Sequence, residues 1–250
     1  MRKLIRELEN FRLKIMPLTL LINLDRDVER LKSSVEEFSK LGMTFTRISA
    51  TTSENLENPS SFAFKRSVEA CWASHLSALQ VLVESDNTFA IVYEDDFFIK
   101  NEKTFKKNLT QLQNHDFDLV QLGYLSIGFK NKLIVLIENT QALLFRFFLV
   151  LGNLGVPLFR ENLSRQRINL IQGTPRHFVP NSFQPGTHAY MISRSLAEKI
   201  LAEYKTFLLP TDGFYNALAN AGGIVSFRAS KSLVNQKNFP GSMRTSKSLE

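Results

Sequence analysis

The sequence contains one cysteine among its 250 residues. A single cysteine excludes a disulfide framework, and it excludes a zinc site built from several cysteines of one chain. Three well-known glycine motifs are also absent: the sequence has no Gly-x-x-x-x-Gly-Lys, no Gly-x-Gly-x-x-Gly and no Gly-x-Ser-x-Gly. Their absence disfavours P-loop NTPases, dinucleotide-binding enzymes and α/β-hydrolases.

The charge balance is positive, with 31 lysines and arginines against 24 aspartates and glutamates and a formal net charge of +7. Such a surplus favours anionic partners, such as a nucleotide diphosphate or an acidic membrane surface. We expect no nucleic-acid partner, because the sequence has no arginine-rich run and no ladder of alternating basic and aromatic residues.

The beginning of the chain alternates charged and apolar residues and lacks the continuous apolar stretch of a signal peptide, which predicts a cytoplasmic protein. Residues 1–16 are predicted to form an amphipathic arm, and Met16 is an alternative start to Met1. One domain is predicted over residues 17–240, followed by a polar tail over 241–250.

Apolar strands and amphipathic helices alternate along the first hundred residues. Strands are predicted at 18–24, 44–49 and 89–93, and helices at 28–41 and 68–83. This alternation is typical of an α/β fold with a mostly parallel sheet flanked by helices. Ligands of such sheets bind beyond the carboxyl ends of the strands.

Three consecutive carboxylates, Glu94-Asp95-Asp96, follow the buried strand at 89–93. Like charges at the end of a strand repel one another unless a cation neutralises them. Oxygen ligands of this kind suit Mg²⁺ or Mn²⁺, and these ions usually accompany a phosphate-bearing substrate. The alternative is a solvated acidic turn without a ligand.

The segment 132–159 is unusually apolar, although Arg146 interrupts it. Its uninterrupted apolar runs fall short of the roughly 20 residues that a membrane span needs. Three interpretations remain open: a buried helix, a helix that contacts a membrane or a lipid acceptor, and a transmembrane helix.

Three other positions carry groups that suit chemistry. Cys71 and His75 lie four residues apart on one face of a predicted helix. They are either metal ligands or core residues. Asp212 precedes a predicted helix at 213–221, where it is either an N-cap or a catalytic carboxylate. His188 begins a predicted strand at 187–192, where a structural role is equally open.

Six short motifs follow one another in a characteristic order between about residues 18 and 240. They are Leu21-Ile-Asn-Leu-Asp-Arg26 with Arg30, Cys71-Trp-Ala-Ser-His75, Val92-Tyr-Glu-Asp-Asp96, Gly186-Thr-His-Ala-Tyr-Met-Ile-Ser-Arg194, Pro210-Thr-Asp212 and Leu233-Val-Asn-Gln236. In this order they resemble glycosyltransferase family 25, the bacterial lipooligosaccharide galactosyltransferases and their collagen-modifying relatives.

The resemblance implies a GT-A-like nucleotide-sugar-binding fold and an inverting transfer of a hexose, most often galactose from UDP-galactose, to a saccharide hydroxyl. Glu94 and Asp96 would hold Mn²⁺ or Mg²⁺ against the donor diphosphate, and Asp212 would be the catalytic base. The donor site would be formed by Asn23, Leu24, Asp25, Arg26, Arg30, Ser74, His75, Asp95 and His188.

The acceptor expected from this resemblance is a lipid-linked oligosaccharide of lipooligosaccharide or lipopolysaccharide, with residues 132–180 as an apolar acceptor-side insertion. The protein would then work in the cytoplasm, peripherally on the inner membrane. Two alternatives stay open: a metal-dependent phosphohydrolase or nucleotidyltransferase that uses the acidic triplet, and a non-catalytic relative that binds sugar or lipid.

Overall fold

Short apolar runs form the centre of a seven-stranded sheet. The computed structural model describes residues 17–56, 65–125, 128–153 and 173–239. Its strands are β1 Leu18–Asn23, β2 Thr46–Ser49, β3 Phe89–Glu94, β4 Phe97–Phe98, β5 Leu119–Gly123, β6 Phe178–Pro180, β7 Ala189–Ser193, β8 Ser226–Ala229 and β9 Asn235–Gln236. Its helices are α1 Val28–Leu41, α2 Arg66–Glu84, α3 Glu102–Leu112, α4 Gly128–Asn153, α5 Arg194–Glu203 and α6 Thr211–Ala221.

The large sheet has the order β2-β1-β3-β7-β5-β8-β6, and β4 pairs with β9 in a separate two-stranded ribbon. Strand β1 runs parallel to β2 and β3, and β5 runs parallel to β8. Strand β7 lies antiparallel between β3 and β5, and β6 is antiparallel to β8. The parallel arrangement predicted for the first three strands is therefore confirmed, while the whole sheet is mixed.

Helices cover both faces of this sheet because alternate residues of each central strand point to opposite sides. Leu20 and Val92 belong to a core cluster that includes Trp72 of α2 and Phe214 of α6. Leu21 lies in a second cluster, with Phe38 and Leu41 of α1 and Phe105 of α3. The central strands are apolar at nearly every position because both of their faces are buried.

Several predicted details differ from the structure. The amphipathic helix predicted at 28–41 buries only part of its apolar residues, since Val28 and Val35 are exposed while Phe38 is buried. Strand β7 begins at residue 189 rather than 187, and α6 begins at 211 rather than 213. Residues 235 and 236, for which no strand is predicted from the sequence, form β9 and pair with β4. The predicted arm 1–16 and tail 241–250 lie outside the described residues.

Helix α4 takes up 22 residues of the apolar segment predicted at 132–159, and residues 154–159 are outside the described part of the chain. The buried-helix interpretation is wrong for one side of α4, where large apolar side chains such as Leu136 and Leu143 are exposed. Among the described residues, no helix combines the length and the apolar character that crossing a membrane requires.

Candidate active site

The carboxyl ends of β1 and β3 meet at one edge of the sheet, as the parallel pairing requires. Asn23 is the last residue of β1 and is almost completely buried. Its Nδ2 donates to Asp95 Oδ2 at 2.7 Å and to the carbonyl of Asp27 at 3.2 Å, while its Oδ1 accepts from Arg47 Nε at 2.9 Å. Asn23 therefore ties together three parts of the chain that border the site.

Asp95 is held by partners on two sides. Arg30 of α1 donates through Nη1 to Asp95 Oδ1 at 2.6 Å, opposite the bond from Asn23. Burial raises the pKa of Asp95, and the contacts with Asn23 and Arg30 work against that rise. Both carboxylate oxygens are thus used by the protein itself, which gives Asp95 the geometry of a positioning residue.

Asp96 is equally buried but less completely bonded. Its Oδ2 accepts from Gln236 Nε2 at 2.5 Å and lies 3.7 Å from Arg30 Nη2. Its Oδ1 is buried and has no hydrogen-bond partner among the described residues. Burial and the nearby charge of Glu94 raise the pKa of Asp96 to about 7. A buried carboxylate oxygen without a partner beside a second carboxylate is a fitting ligand for a divalent cation.

Glu94 is the last residue of β3, and its carboxylate contacts His75 and Thr187. Its Oε1 accepts a short hydrogen bond from Thr187 Oγ1 and lies 3.5 Å from His75 Nε2. Burial alone would raise the pKa of Glu94, but His75 and Thr187 outweigh it and lower the pKa to about 2. Glu94 is therefore ionised at neutral pH.

His75 lies on the inner face of α2, fully buried beneath the site. Its Nδ1 is 2.9 Å from the Tyr190 hydroxyl, and its Nε2 faces Glu94. Burial alone would lower the pKa of His75, but the contacts with Cys71 and Glu94 raise it to about 9. The resulting imidazolium–carboxylate pair fixes the Glu94 side chain at the end of β3.

Cys71, His75 and Glu94 also form a group whose three ligand atoms lie within 4.8 Å of one another. The distances between these atoms are therefore compatible with Cys71 and His75 as metal ligands. Binding there would require the proton to leave His75 and Cys71, because a metal takes neutral imidazole and thiolate. A thiolate–imidazole set suits a softer ion such as Zn²⁺ better than Mg²⁺ or Mn²⁺.

Two further predicted residues, Ser74 and His188, line the cleft but bond to the protein. Ser74 Oγ donates to the carbonyl of Ala70 at 2.7 Å and accepts from the Thr51 amide at 2.9 Å. His188 Nε2 lies 3.0 Å from the Val234 carbonyl. A Cβ at Gly123 would lie 2.5 Å from that ring nitrogen, so glycine is required for the imidazole to fit.

Asp212 faces the same cleft from the first turn of α6. The cap of this helix is Pro210, two residues earlier, so the interpretation of Asp212 as the N-cap is wrong. Asp212 Oδ2 accepts from the Gly186 amide at 3.1 Å, and Oδ1 accepts from the amide of Gly213 at 2.9 Å. These two bonds orient a half-buried carboxylate at the edge of the cleft.

The turn after β1 is divided between the cleft and the outer surface. Leu24 and Arg26 line the cleft together with Arg30. Asp25 instead accepts from Arg47 Nη2 at 2.5 Å and from Ser49 Oγ at 2.9 Å on an exposed surface. Asp25 was predicted to contact the donor, but its carboxylate bonds to Arg47 and Ser49 outside the cleft.

These elements enclose a cleft of about 630 Å³, and Asn23, Glu94 and Asp212 are among the residues that line it. The size is that of a pocket for a ligand such as a nucleotide sugar. Sequence reasoning assigned no role to Thr187 and Gln236, which bond the two outer carboxylates. Gln236 ends the last of the six motifs, and Thr187 adjoins His188, so their positions carried a signal without showing the contact.

Comparison with known proteins identifies the family of this chain. Residues 16–215 match the family described as glycosyltransferase family 25 (LPS biosynthesis protein). A search of curated proteins found no match. The matched region covers most of the chain and contains Asn23, Glu94, Asp96 and Asp212, and so the chain belongs to glycosyltransferase family 25, a family of lipopolysaccharide-biosynthesis glycosyltransferases.

Proposed function

We propose that this glycosyltransferase moves a hexose, galactose from UDP-galactose, onto a hydroxyl of a lipooligosaccharide or lipopolysaccharide acceptor with inversion at the anomeric carbon. The observation that carries the proposal is Asp96 Oδ1, a buried carboxylate oxygen without a hydrogen-bond partner in the described chain, beside the ionised Glu94 in a cleft of about 630 Å³. Membership of the family supports the sugar-transfer chemistry.

Glu94 and Asp96 would hold a divalent cation, Mn²⁺ or Mg²⁺, at the end of β3. Both are hard oxygen ligands, and a cation beside them would relieve the repulsion that raises the pKa of Asp96. When bound, such an ion supplies charge stabilisation to the departing nucleotide diphosphate. Asp95 stays bonded to Asn23 and Arg30, which keeps the neighbouring carboxylates in place.

The nucleotide would lie against the turn that follows β1. Arg26 is exposed and lines the cleft, so it offers a positive charge to a diphosphate. Leu24 and Arg30 line the same wall. In this arrangement Ser74, His75 and His188 support the donor site from below, by holding the backbone and Glu94 in position.

Asp212 would take the proton from the attacking acceptor hydroxyl. In one displacement the acceptor oxygen bonds to the anomeric carbon, the bond from that carbon to the diphosphate oxygen breaks, and the bonding pair leaves with the diphosphate. The hydroxyl proton passes to the Asp212 carboxylate. The amides of Gly186 and Gly213 hold this carboxylate in one orientation, as a base of fixed geometry requires.

The acceptor completes the proposal. A lipid-linked oligosaccharide at the cytoplasmic surface of the inner membrane would reach the cleft from the side of Leu125, which lines it just before helix α4. The apolar character of α4 supports an acceptor-side role for the region 132–180.

The decisive experiment measures binding of UDP by calorimetry, with and without Mn²⁺, in the wild type and in Asp96→Asn. We expect Mn²⁺ to strengthen UDP binding in the wild type. In Asp96→Asn we expect UDP affinity in the presence of Mn²⁺ to fall by at least about tenfold, which corresponds to about 1.4 kcal/mol. Asp86→Asn is the matched control, because Asp86 is an exposed carboxylate elsewhere on the surface.

A panel of UDP-, GDP- and CMP-sugars, assayed for released nucleotide with and without an acceptor saccharide, identifies the reaction. Acceptor-dependent release from UDP-galactose supports the proposal. Phosphate release from simple phosphate esters would instead indicate a phosphohydrolase, and unchanged UDP and Mn²⁺ affinity in Asp96→Asn would remove the metal assignment.

A further inference from the structure

Helix α4 has its polar side turned toward the protein. Glu138 Oε2 accepts from Arg228 Nη2 at 3.0 Å and from Ser182 Oγ at 2.8 Å. Asn139 Nδ2 donates to the carbonyl of Ser230 at 2.9 Å. Arg228 is fully buried, so this contact lies inside the molecule. Part of the inward face of α4 is therefore polar, whereas the inward face of a surface helix is usually apolar.

Arg146 fixes the later part of the same helix. Its Nη2 donates to the carbonyl of Pro175 at 2.7 Å and to that of Phe178 at 2.9 Å, and its Nη1 bonds the carbonyl of Arg176. The helix is thus held against the loop before β6 and against β6 itself by directional polar bonds. These bonds set the rotation of α4 about its own axis and decide which side chains point outward.

The outward side carries seven large apolar residues, which we call the outer stripe: Phe129, Leu133, Leu136, Ile137, Leu143, Leu144 and Phe147. All are exposed, from 42% for Leu133 to 82% for Phe129. At about 100° per residue they fall within about 120° of the circumference, and they extend over about 27 Å of helix. The exposed Thr140 is a polar residue within the stripe. A largely apolar surface of this kind marks an interaction site.

Two lysines border the outer stripe. Lys130 and Lys132 are exposed, and on a helix of about 3.6 residues per turn they project from opposite edges of the stripe. An apolar face flanked by lysines is the pattern of a helix that lies in the interface of an anionic membrane, with hydrocarbon below and positive charges at the headgroups. The formal net charge of +7 acts in the same direction.

We propose that the outer stripe docks helix α4 flat on an anionic phospholipid surface. Glu138 and Arg146 are bonded to the body of the protein on the opposite side, which excludes a helix surrounded by lipid. A second copy of the chain is a poorer occupant, because pairing the two stripes would bring four lysines to the borders of one interface.

Docking in this orientation also brings the membrane near the cleft. Leu125 lines the cleft, and Phe129 at the start of the stripe follows four residues later. Four residues span at most about 14 Å. The docking itself does not depend on the reaction. Its purpose, which is to present the cleft to a lipid-linked acceptor, rests on the proposed function.

Co-sedimentation with vesicles tests the docking. The probes are vesicles of phosphatidylcholine with phosphatidylglycerol and vesicles of phosphatidylcholine alone. We expect binding to the anionic vesicles, and a loss of at least about tenfold in partitioning for the double variant Leu136→Glu/Leu143→Glu. Val35→Glu, an exposed valine of α1, is the matched control and should bind as the wild type does.

The charges are tested separately. Lys130→Glu/Lys132→Glu should weaken binding to the anionic vesicles by at least about tenfold and leave the weak binding to neutral vesicles unchanged. The control is Lys199→Glu, an exposed lysine on α5. Because all altered side chains are exposed, thermal unfolding of each variant should match that of the wild type.

Wild-type protein that stays in the supernatant with anionic vesicles would overturn the docking, as would stripe variants that bind normally. Sedimentation velocity identifies a rival: a dimer that the stripe variants dissociate, without vesicle binding, would assign the stripe to a second copy. Nucleotide release from UDP-sugars without vesicles is measured in parallel. Turnover without vesicle binding refutes only the docking, and vesicle binding without turnover of any donor refutes only the proposed function.

Discussion

The cleft edge and helix α4 both reverse the usual distribution of polar and apolar groups, in opposite directions. At the cleft edge Asp95 and Asp96 are 95% buried, whereas Leu136 and Leu143 of α4 are more than half exposed. Proteins bury charge when it is bonded or binds an ion, and they expose large apolar surfaces where another surface contacts them. The cleft edge therefore suits a small charged ligand, and the exposed side of α4 suits an extended apolar surface.

The two regions also differ in how their polar groups are satisfied. At the cleft edge a hydrogen-bond network joins Asn23, Arg30 and Asp95, and one carboxylate oxygen of Asp96 has no hydrogen-bond partner among the described residues. On α4 Glu138 and Arg146 bond inward, and the outer stripe is exposed on the other side. Four substitutions test how these regions are held and what they do, beginning with the one for which we expect the greatest change.

The largest effect is expected where α4 is attached. Arg228→Met leaves Glu138 without its cation and also removes the bond to Ser182. Breaking one half of a buried ion pair costs about 3–5 kcal/mol, and since Glu138 is 29% exposed we expect about 3 kcal/mol in the free energy of unfolding. Urea denaturation measures it. Lys106→Ala, which breaks an exposed pair with Glu102, should change stability by less than about 1 kcal/mol; equal effects would show that α4 is not held by its polar side.

Next comes the carboxylate at the far side of the cleft. Asp212→Asn should lower kcat by at least about 10²-fold and leave donor binding almost unchanged, because a base acts on the acceptor hydroxyl and not on the nucleotide. Steady-state kinetics and calorimetry on one preparation measure both quantities. A stable variant with normal kcat would remove Asp212 from the reaction, and the cleft would then need another base.

A smaller effect is expected from the close contact beside His188. Gly123→Ala places a Cβ 2.5 Å from the imidazole and 2.7 Å from the Val234 carbonyl, so the neighbours must shift. Such overpacking costs about 1–3 kcal/mol. The control is Gly223→Ala, where a Cβ meets nothing within 4 Å. Thermal unfolding that shows no difference between the two variants would indicate that the cleft wall is softer than its contacts suggest.

The smallest effect concerns Glu37, a buried carboxylate that supports the β4–β9 ribbon. Burial alone would raise its pKa, but the amide of Ile99 together with Lys40 and Lys237 lowers it. Because the folded pKa is below the unfolded value of 4.5, Glu37 stabilises the fold above that pH, and the contribution is lost as the pH falls through the folded pKa.

Glu37→Gln should therefore lower the free energy of unfolding by about 1 kcal/mol at neutral pH, and the difference from the wild type should vanish in acid. Denaturant unfolding over a series of pH values measures it. Glu36→Gln, an exposed neighbour on the same helix, should follow the wild type at every pH. A constant difference between Glu37→Gln and the wild type would mean that packing, and not the charge, is responsible.

The local elements could be read from the sequence because they depend on near neighbours. The helix predicted at 28–41 has the same bounds as α1, and the strand predicted at 89–93 differs from β3 by one residue. Periodicity and a glycine stop are properties of adjacent residues, so no tertiary contact is needed to see them. The meeting of Asn23 with the acidic triplet was predictable too, because parallel strands end at the same edge.

From the sequence alone follow the set of elements, the parallel pairing of the first strands, the acidic triplet at a strand end and the resemblance to a family. Three features could be seen only in the folded chain: β7 inserts antiparallel between β3 and β5, Asp96 keeps an oxygen without a partner in the described chain while Asp95 does not, and α4 turns its apolar side outward. The physical reason is that these outcomes depend on contacts between residues far apart in the chain: Gln236 on Asp96, and Arg228 on Glu138. Hydrophobicity counted along α4 predicts that the helix is apolar, but the rotation that exposes its outer stripe is set by bonds to residues 29–32 and 90 positions away.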